Sequence, residues 1–281
     1  MNKLLADQVV SICKEAGAAI LEVYHRESGF DVESKSDDSP VTEADLAAHR
    51  VLIAGLESLV EQTPILSEES ELPDYQQRSQ WSRYWIIDPL DGTKEFINRN
   101  GEYTVNVALV ENGLPILGVV HVPVLDITYV GVAGLGAWKI EQGKESLIQI
   151  RTLDSRVDQG LPIEVVASRR HGAQEVEDMI DALTQAFGNV TTKSMGSSLK
   201  LCLIAEGKAD LYPRLALTSE WDTAAAQAVV EAAGGRVMTT EFETLKYNTK
   251  DNILNPFFFV IGDTGHAWDE TLNQWRGISP E

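Results

Sequence analysis

Apolar residues at Leu4, Leu5, Val9, Ile12, Cys13, Ala16, Ala19, Ile20 and Val23 recur every three or four positions, which predicts an amphipathic helix over residues 3–26 laid on a core. Residues 31–40 are polar and rich in helix breakers, as in a loop. A second helical pattern runs from Thr42 to Leu59, with Thr42 as N-cap and Glu43 and Asp45 in the first turn. The period then shortens. Ile65 and Leu66 lead into Ser67-Glu68-Glu69, and the polar residues 71–83 predict an exposed connector. Tyr84 to Ile87, aromatic and β-branched, predicts a short buried strand with Asp88 at its C-terminal end. Strand patterns follow at Tyr103–Val110, Ile116–His121 and Ile127–Val132, parted by Asn112-Gly113 and Pro123 as in an antiparallel meander. Residues 139–156 are polar and predict irregular structure, and Ile163–Ala167 predicts a strand that opens a second half.

In that half the pattern alternates between helix over Ala173–Phe187, helix opened by Gly196-Ser197-Ser198 and running through Ala205, strand over Ala209–Arg214, and helix from Trp221 to Ala233. Such alternation predicts α/β layers. No internal repeat is visible. A chain of 281 residues, 43% of them hydrophobic, suits two intimately packed halves, 1–160 and 161–281, with most of the chemistry described below in the first.

Charge changes the picture most. Acidic residues outnumber basic ones 43 to 23, a formal net charge of −20, which argues against a nucleic-acid polymer or an anionic membrane as main partner. A phosphorylated substrate would need a cation to bridge it. Cys13 and Cys202 fall in apolar helical patterns with no metal or redox spacing, as reduced core residues of a cytoplasmic protein do. No apolar run approaches the length of a membrane span, and Asp7, Lys14 and Glu15 interrupt the N-terminal pattern. The expectation is a cytoplasmic protein, peripheral on the inner membrane face at most.

The candidate chemistry begins where Tyr84-Trp-Ile-Ile runs into Asp88-Pro-Leu-Asp91-Gly-Thr93. Pro89 removes a donor and Gly92 permits a sharp turn, so Asp88, the Leu90 carbonyl and Asp91 can converge on one point. Hard oxygens in that arrangement suit Mg²⁺ with water and substrate phosphate, and the same residue types also make an ordinary surface turn. The strand-Asp-x-Asp-Gly-Thr loop of haloacid-dehalogenase-like phosphatases is excluded by spacing, since Asp88 and Asp91 are three apart with a proline between them. Glu68 follows a second apolar-to-acid transition and offers a third carboxylate for a two-ion site. Asp222 is either a routine helix cap or a fourth carboxylate. Gly196-Ser197-Ser198 is either an anion cradle or a plain N-cap. Asp45 suits a helix dipole, and Lys35 reads as a solvated loop cation.

Asp88-Pro-Leu-Asp-Gly-Thr93, preceded by Ser67-Glu-Glu and followed by Trp221-Asp222, resembles the inositol-monophosphatase-like, Mg²⁺-dependent and Li⁺-sensitive phosphatases across nearly the whole chain. Within that superfamily, Thr93 to Ile97 and Gly196 to Arg214 are similar to the CysQ-type 3′(2′),5′-bisphosphate nucleotidases of sulfur assimilation. The resemblance implies a layered α-β-α-β-α sugar-phosphatase fold and a monomer or homodimer acting on a small nucleotide. It implies that Glu68, Asp88 and the Leu90 carbonyl hold one Mg²⁺, and that Asp88, Asp91 and Asp222 hold a second. Asp45 and Thr93 would orient the attacking water, with Glu68 near it. The amides of Gly92 and Thr93 would take the scissile phosphate, and Ser197, Lys200 and Arg214 would face the 5′-phosphate, ribose or base. The implied reaction removes the 3′-phosphate of adenosine 3′,5′-bisphosphate. A phosphatase for inositol or sugar phosphates, and a metal-dependent binding protein without turnover, are the alternatives. One departure is Ala226, which stands where the family's Trp-Asp-x-x-Ala-Gly carries glycine.

Overall fold

The computed structural model describes residues 2–26, 30, 32–34, 40–59, 63–167 and 173–272. Helix α1 (Lys3–Tyr24) begins at Asn2, whose side chain accepts the Leu5 N–H at 3.0 Å. The antiparallel pair β1 (Val32–Ser34) and β2 (Pro40–Thr42) occupies part of the expected loop, and Lys35 lies outside the described residues. Helix α2 (Glu43–Leu59) follows as its periodicity predicts.

Seven strands then form one sheet in chain order: β3 (Ile65–Ser67), β4 (Arg83–Asp91), β5 (Thr104–Glu111), β6 (Leu114–Val122), β7 (Ile127–Val132), β8 (Gly136–Glu141) and β9 (Lys144–Ile148). Only β3 and β4 pair in parallel, with the short α3 (Tyr75–Arg78) between them; α4 (Thr93–Ile97) follows β4. Two expectations fail here. Residues 139–148 are not irregular, because β8 and β9 form a hairpin through Gln142 (φ 51°) and Gly143 (φ 73°), and only 149–153 lie outside regular elements before α5 (Asp154–Val157). Its outer strand is solvated on both faces, so it lacks the apolar alternation that marks a strand. Nor is 71–83 wholly an exposed connector. Arg78 is fully buried, donating from Nη1 to Asn248 Oδ1 at 2.5 Å and from Nη2 to the Asp251 carbonyl.

The second sheet is mixed, in the order β11-β10-β12-β14-β13. After α5 (Asp154–Val157) its elements are β10 (Ile163–Ala167), α6 (Ala173–Phe187), β11 (Val190–Ser194), α7 (Leu199–Ala205), β12 (Leu211–Arg214), α8 (Glu220–Ala232), β13 (Arg236–Thr239) and β14 (Phe258–Ile261), with α9 (Trp268–Leu272) last.

Three cores stack these elements. Trp85, Ile87, Val107 and Leu109 on one face of the first sheet meet Val9, Cys13 and Ile20 of α1 and Leu52 of α2. Tyr84, Ile86, Ala108 and Val110 on the other face meet α7 and α8, which also cover Tyr212 and Val260 of the second sheet. The outer face of that sheet packs Val165, Leu211 and Phe259 on Met179 and Leu183 of α6 and Trp268 of α9. The result is α-β-α-β-α, as expected. Each fully buried aliphatic contributes about 1.5–3 kcal/mol over an exposed one, and β4 and β5, covered on both faces, are apolar almost without interruption. Ala226 is fully buried in the middle core and packed among apolar neighbours, so its methyl is absorbed by packing there.

Candidate active site

The site forms where β4 stops pairing regularly. From Arg83↔Glu111 to Asp88↔Asn106 the register with β5 is constant; it resumes at Asp91↔Thr104 with one extra residue on β4. Pro89 has no N–H to give the ladder, so this β-bulge falls at Pro89 and Leu90. The Leu90 N–H turns back onto Asp88 Oδ1 at 3.0 Å. Gly92 (φ 94°) is left-handed, a conformation costly for any residue with a Cβ, and it starts α4 at Thr93.

Two helix starts bring in the remaining acids. In α2, Asp45 Oδ2 accepts from both the N–H (2.8 Å) and the hydroxyl (2.6 Å) of Thr42, closing the helix end; its Oδ1 accepts the Thr93 hydroxyl at 3.3 Å. In α8, Asp222 Oδ2 accepts the Ser219 N–H at 3.0 Å. Both acids stand at the third helical position, where a side chain reaches back to the cap. The capping and site readings of Asp45 and Asp222 are therefore compatible, one oxygen serving the cap.

Glu68, at the end of β3, joins Asp88 and Asp222 in a cluster whose carboxylate oxygens lie within 4.8 Å of one another. Burial raises the Asp88 and Asp222 pKa values well above the carboxylate range, and the neighbouring carboxylates raise them further. Asp45 is raised too, chiefly by burial, against the Thr42 hydrogen bonds that lower it. Carboxylates gathered out of water repel one another and favour a divalent cation among them, so this donor set fits Mg²⁺ or a similar hard ion.

Asp91 stands beside this cluster with Oδ2 turned elsewhere, accepting the Ser198 N–H at 2.6 Å and lying 2.8 Å from Ser198 Oγ. Asn106 Nδ2 donates to Ser198 Oγ at 2.8 Å, and Thr104 Oγ1 donates to Asn106 Oδ1 at 3.0 Å. The possible cradle at Gly196-Ser-Ser thus already has its anion in Asp91. The sequence marks Ser198 only as part of a cradle or cap, and Asn106 and Thr104 are not among the expected site residues, although a buried asparagine breaking the apolar run of β5 is a visible signal. Ser197 (φ 42°) turns the chain into α7, and its carbonyl accepts Lys200 Nζ at 2.6 Å.

Gly92, Asp91, Ser197, Lys200, Arg214 and Asp222 all line one cleft of about 180 Å³, with Tyr212 and Phe258 as apolar wall. Lys200 is buried, which lowers its pKa, while Asp91 raises it and nearby Arg214 lowers it again. Arg214 donates to the carbonyls of Ala216 (3.0 Å) and Leu217 (2.8 Å). With the acids Asp91, Glu95 and Asp222 and the cations Lys94, Lys200 and Arg214 in its lining, the cleft can hold a phosphate ester bearing a second anionic group.

A model of the inositol monophosphatase family matches residues 2–273. The 3′(2′),5′-bisphosphate nucleotidase CysQ of Escherichia coli strain K12 is 48% identical over 256 residues, 91% of this chain and 99% of that protein. The protein of the same name from Haemophilus influenzae is 34% identical over 269 residues, 95% of this chain and 96% of that one. The crystal structure of CysQ from Bacteroides thetaiotaomicron aligns with a TM-score of 0.76 at 42% identity, covering 92% of this chain and 96% of that chain. Five layers around a carboxylate cluster define a metal-dependent phosphatase fold. The chain belongs to the inositol monophosphatase family.

Proposed function

We propose that this protein is a 3′(2′),5′-bisphosphate nucleotidase that hydrolyses the 3′-phosphate of adenosine 3′,5′-bisphosphate to AMP and phosphate, and acts on 3′-phosphoadenylyl sulfate as well. The relatives at 48% identity carry that name over nearly their whole length, and within the site the lining of one cleft by Lys200 and Arg214 together with Asp222 of the acid cluster is the observation that favours a substrate with two phosphates.

Mg²⁺ is the ion we assign, with Glu68, Asp88 and the Leu90 carbonyl for one position and Asp88, Asp91 and Asp222 for a second. When bound it would lower the pKa of a coordinated water and offset charge on the leaving alkoxide. The chain's own residues orient that water. The Thr93 hydroxyl donates a hydrogen bond to Asp45 Oδ1 and keeps its proton, so its lone pairs can accept a hydrogen bond from the water. Asp45 is braced on its other oxygen by Thr42 and its pKa is raised by burial, so it can take up the proton that the water releases. Glu68 stands near the same water. The Gly92 and Thr93 amides take the scissile phosphate, while Lys200, Arg214 and Ser197 take the 5′-phosphate and ribose.

We assign residues 1–160 to most of the metal ligands and 161–281 to completion of the site and substrate binding. The protein works in the cytoplasm as a monomer or homodimer, or peripherally on the inner membrane face; among the described residues no helix is long and apolar enough to cross a membrane.

Phosphate release with Mg²⁺ from adenosine 3′,5′-bisphosphate, 3′-AMP and inositol 1-phosphate tests the reading. The bisphosphate should be preferred, and Lys200→Ala should raise its KM about tenfold or more, as loss of one charged hydrogen bond does, without raising that of 3′-AMP. Preference for inositol phosphate would overturn the nucleotide assignment. Asp88→Asn should lower kcat by about a thousandfold, roughly 4 kcal/mol of transition-state stabilisation; full activity would sink the metal assignment.

A further inference from the structure

We propose that His49 is a positioning residue for the acid cluster, acting through Ser67 to fix the turn that presents Glu68. The inference rests on reading Glu68 as a cation ligand. His49 lies on α2 one turn beyond Asp45, and its Nδ1 is 2.9 Å from Ser67 Oγ at the end of β3. Ser67 is buried at 2% exposure, and its oxygens organise the chain on the far side of Glu68. The hydroxyl accepts the Glu69 N–H at 3.2 Å, and the carbonyl accepts the Ser70 N–H at 3.2 Å. The Glu68 N–H itself donates to the Ile87 carbonyl at 3.3 Å, next to Asp88.

Glu68 therefore sits in a turn whose two flanking residues share one hydroxyl, and His49 is the ring that meets it. With Nδ1 accepting, the Ser67 proton goes to the ring and its lone pairs remain for Glu69, so the hydroxyl is held in one rotamer. Burial, aided by Arg50, lowers the His49 pKa and favours the neutral ring that this arrangement uses. One helix then registers two parts of the site: Asp45 reaches Thr93, and His49 reaches the turn of Glu68. A ligand carboxylate held from behind in this way is pre-organised for its ion.

Mg²⁺ binding by the full chain, read by calorimetry and by the Mg²⁺-induced rise in Tm, tests this in wild type, Glu68→Gln, His49→Ala, His49→Asn, Ser67→Ala and the His49→Ala/Ser67→Ala pair. We expect His49→Ala to weaken Mg²⁺ binding about tenfold, and Ser67→Ala to match it. The double variant should be no weaker than either single one, since both cut the same link. His49→Asn, whose Oδ1 falls near the place of Nδ1, should restore most of the affinity, and kcat at saturating Mg²⁺ should change little. Should His49→Ala not fold, Ser67→Ala reads the same link from its other end. Wild-type Mg²⁺ affinity in the alanine variants, a multiplied loss in the pair, or no recovery with asparagine would overturn the positioning role. Wild-type affinity in Glu68→Gln would instead overturn the metal reading, and this inference with it.

Discussion

At the residue scale, the site is economical because single side chains serve the fold and the chemistry through different atoms. Asp45 and Asp222 each close a helix end with Oδ2, which fixes the carboxylate plane at no cost in additional residues. Ser198 shows the converse, a residue absent from the expected contacts whose amide holds Asp91 while its hydroxyl, with one proton to give, lies 2.8 Å from Asp91 Oδ2 and 2.7 Å from the Asp222 carbonyl. Glu231 illustrates a half-buried acid outside the site. Burial pushes it up to about 7 from its ordinary 4.5, against the Gln227 hydrogen bond at 2.9 Å that lowers it. A raised carboxylate binds its proton more tightly when folded, so its contribution to stability is complete below pH 4.5 and is lost as the pH rises towards about 7. Glu231→Gln, neutral throughout, should therefore raise Tm at pH 8, and the gain should shrink to nothing at pH 4.5; an increment independent of pH would contradict this.

At the scale of elements, α8 carries Asp222 and is set by what lies beneath it. A Cβ on Gly118 of β6 would sit 2.0 Å from the Ala225 carbonyl oxygen, and one on Gly131 of β7 would sit 2.4 Å from the Ala228 carbonyl oxygen. The helix thus rests on strand backbone. Gly118→Ala must push α8 outward, at a cost of about 3 kcal/mol by analogy with overpacked cores. Thermal unfolding should show that loss, and the Mg²⁺-induced rise in Tm should shrink because Asp222 moves with its helix. A variant of unchanged Tm would mean that α8 does not bear on β6 as closely as this. The bulge in β4 works to the same end, since the residue it adds swings Asp91 out of step with Asp88.

For the whole molecule, the two sheets share a helical layer, and the connector between β3 and β4 reaches across to the second half. Arg78 is buried against Asn248 and the Asp251 carbonyl, and Asn248 donates its N–H to both oxygens of Glu220 at 3.0 and 2.9 Å. Burial lifts Glu220 to about 7, while the Asn248 amide and Arg78 oppose the rise. Arg78→Leu removes the cation and strands these acceptors, which should cost about 3–5 kcal/mol and lower Tm by roughly 10 °C. Thermal unfolding without added cation measures it, and a shift within a degree or two would show that the crossing contact is dispensable.

Periodicity along the chain determined the elements that bury one face or both. Helices α1, α2 and α6, the meander β5 to β7 and the strand leading to Asp88 were all legible, because burial writes a period of 3.6 or 2 into neighbouring residues. The resemblance across the acid motifs supplied the layered fold and the family. What repetition could not carry was left to tertiary structure. The hairpin β8–β9 is too solvated to show a pattern, β14 is a bare apolar run until its neighbours β12 and β13 are known, and polar Arg78 is buried only because loop 248–251 folds over it. The choice of Ser198 over Ser197 as the partner of Asp91, and the link from His49 to Ser67, likewise belong to three dimensions. A side chain's nearest chemical neighbour is set by how distant segments close on one another, and local sequence records burial but not the identity of the group met there.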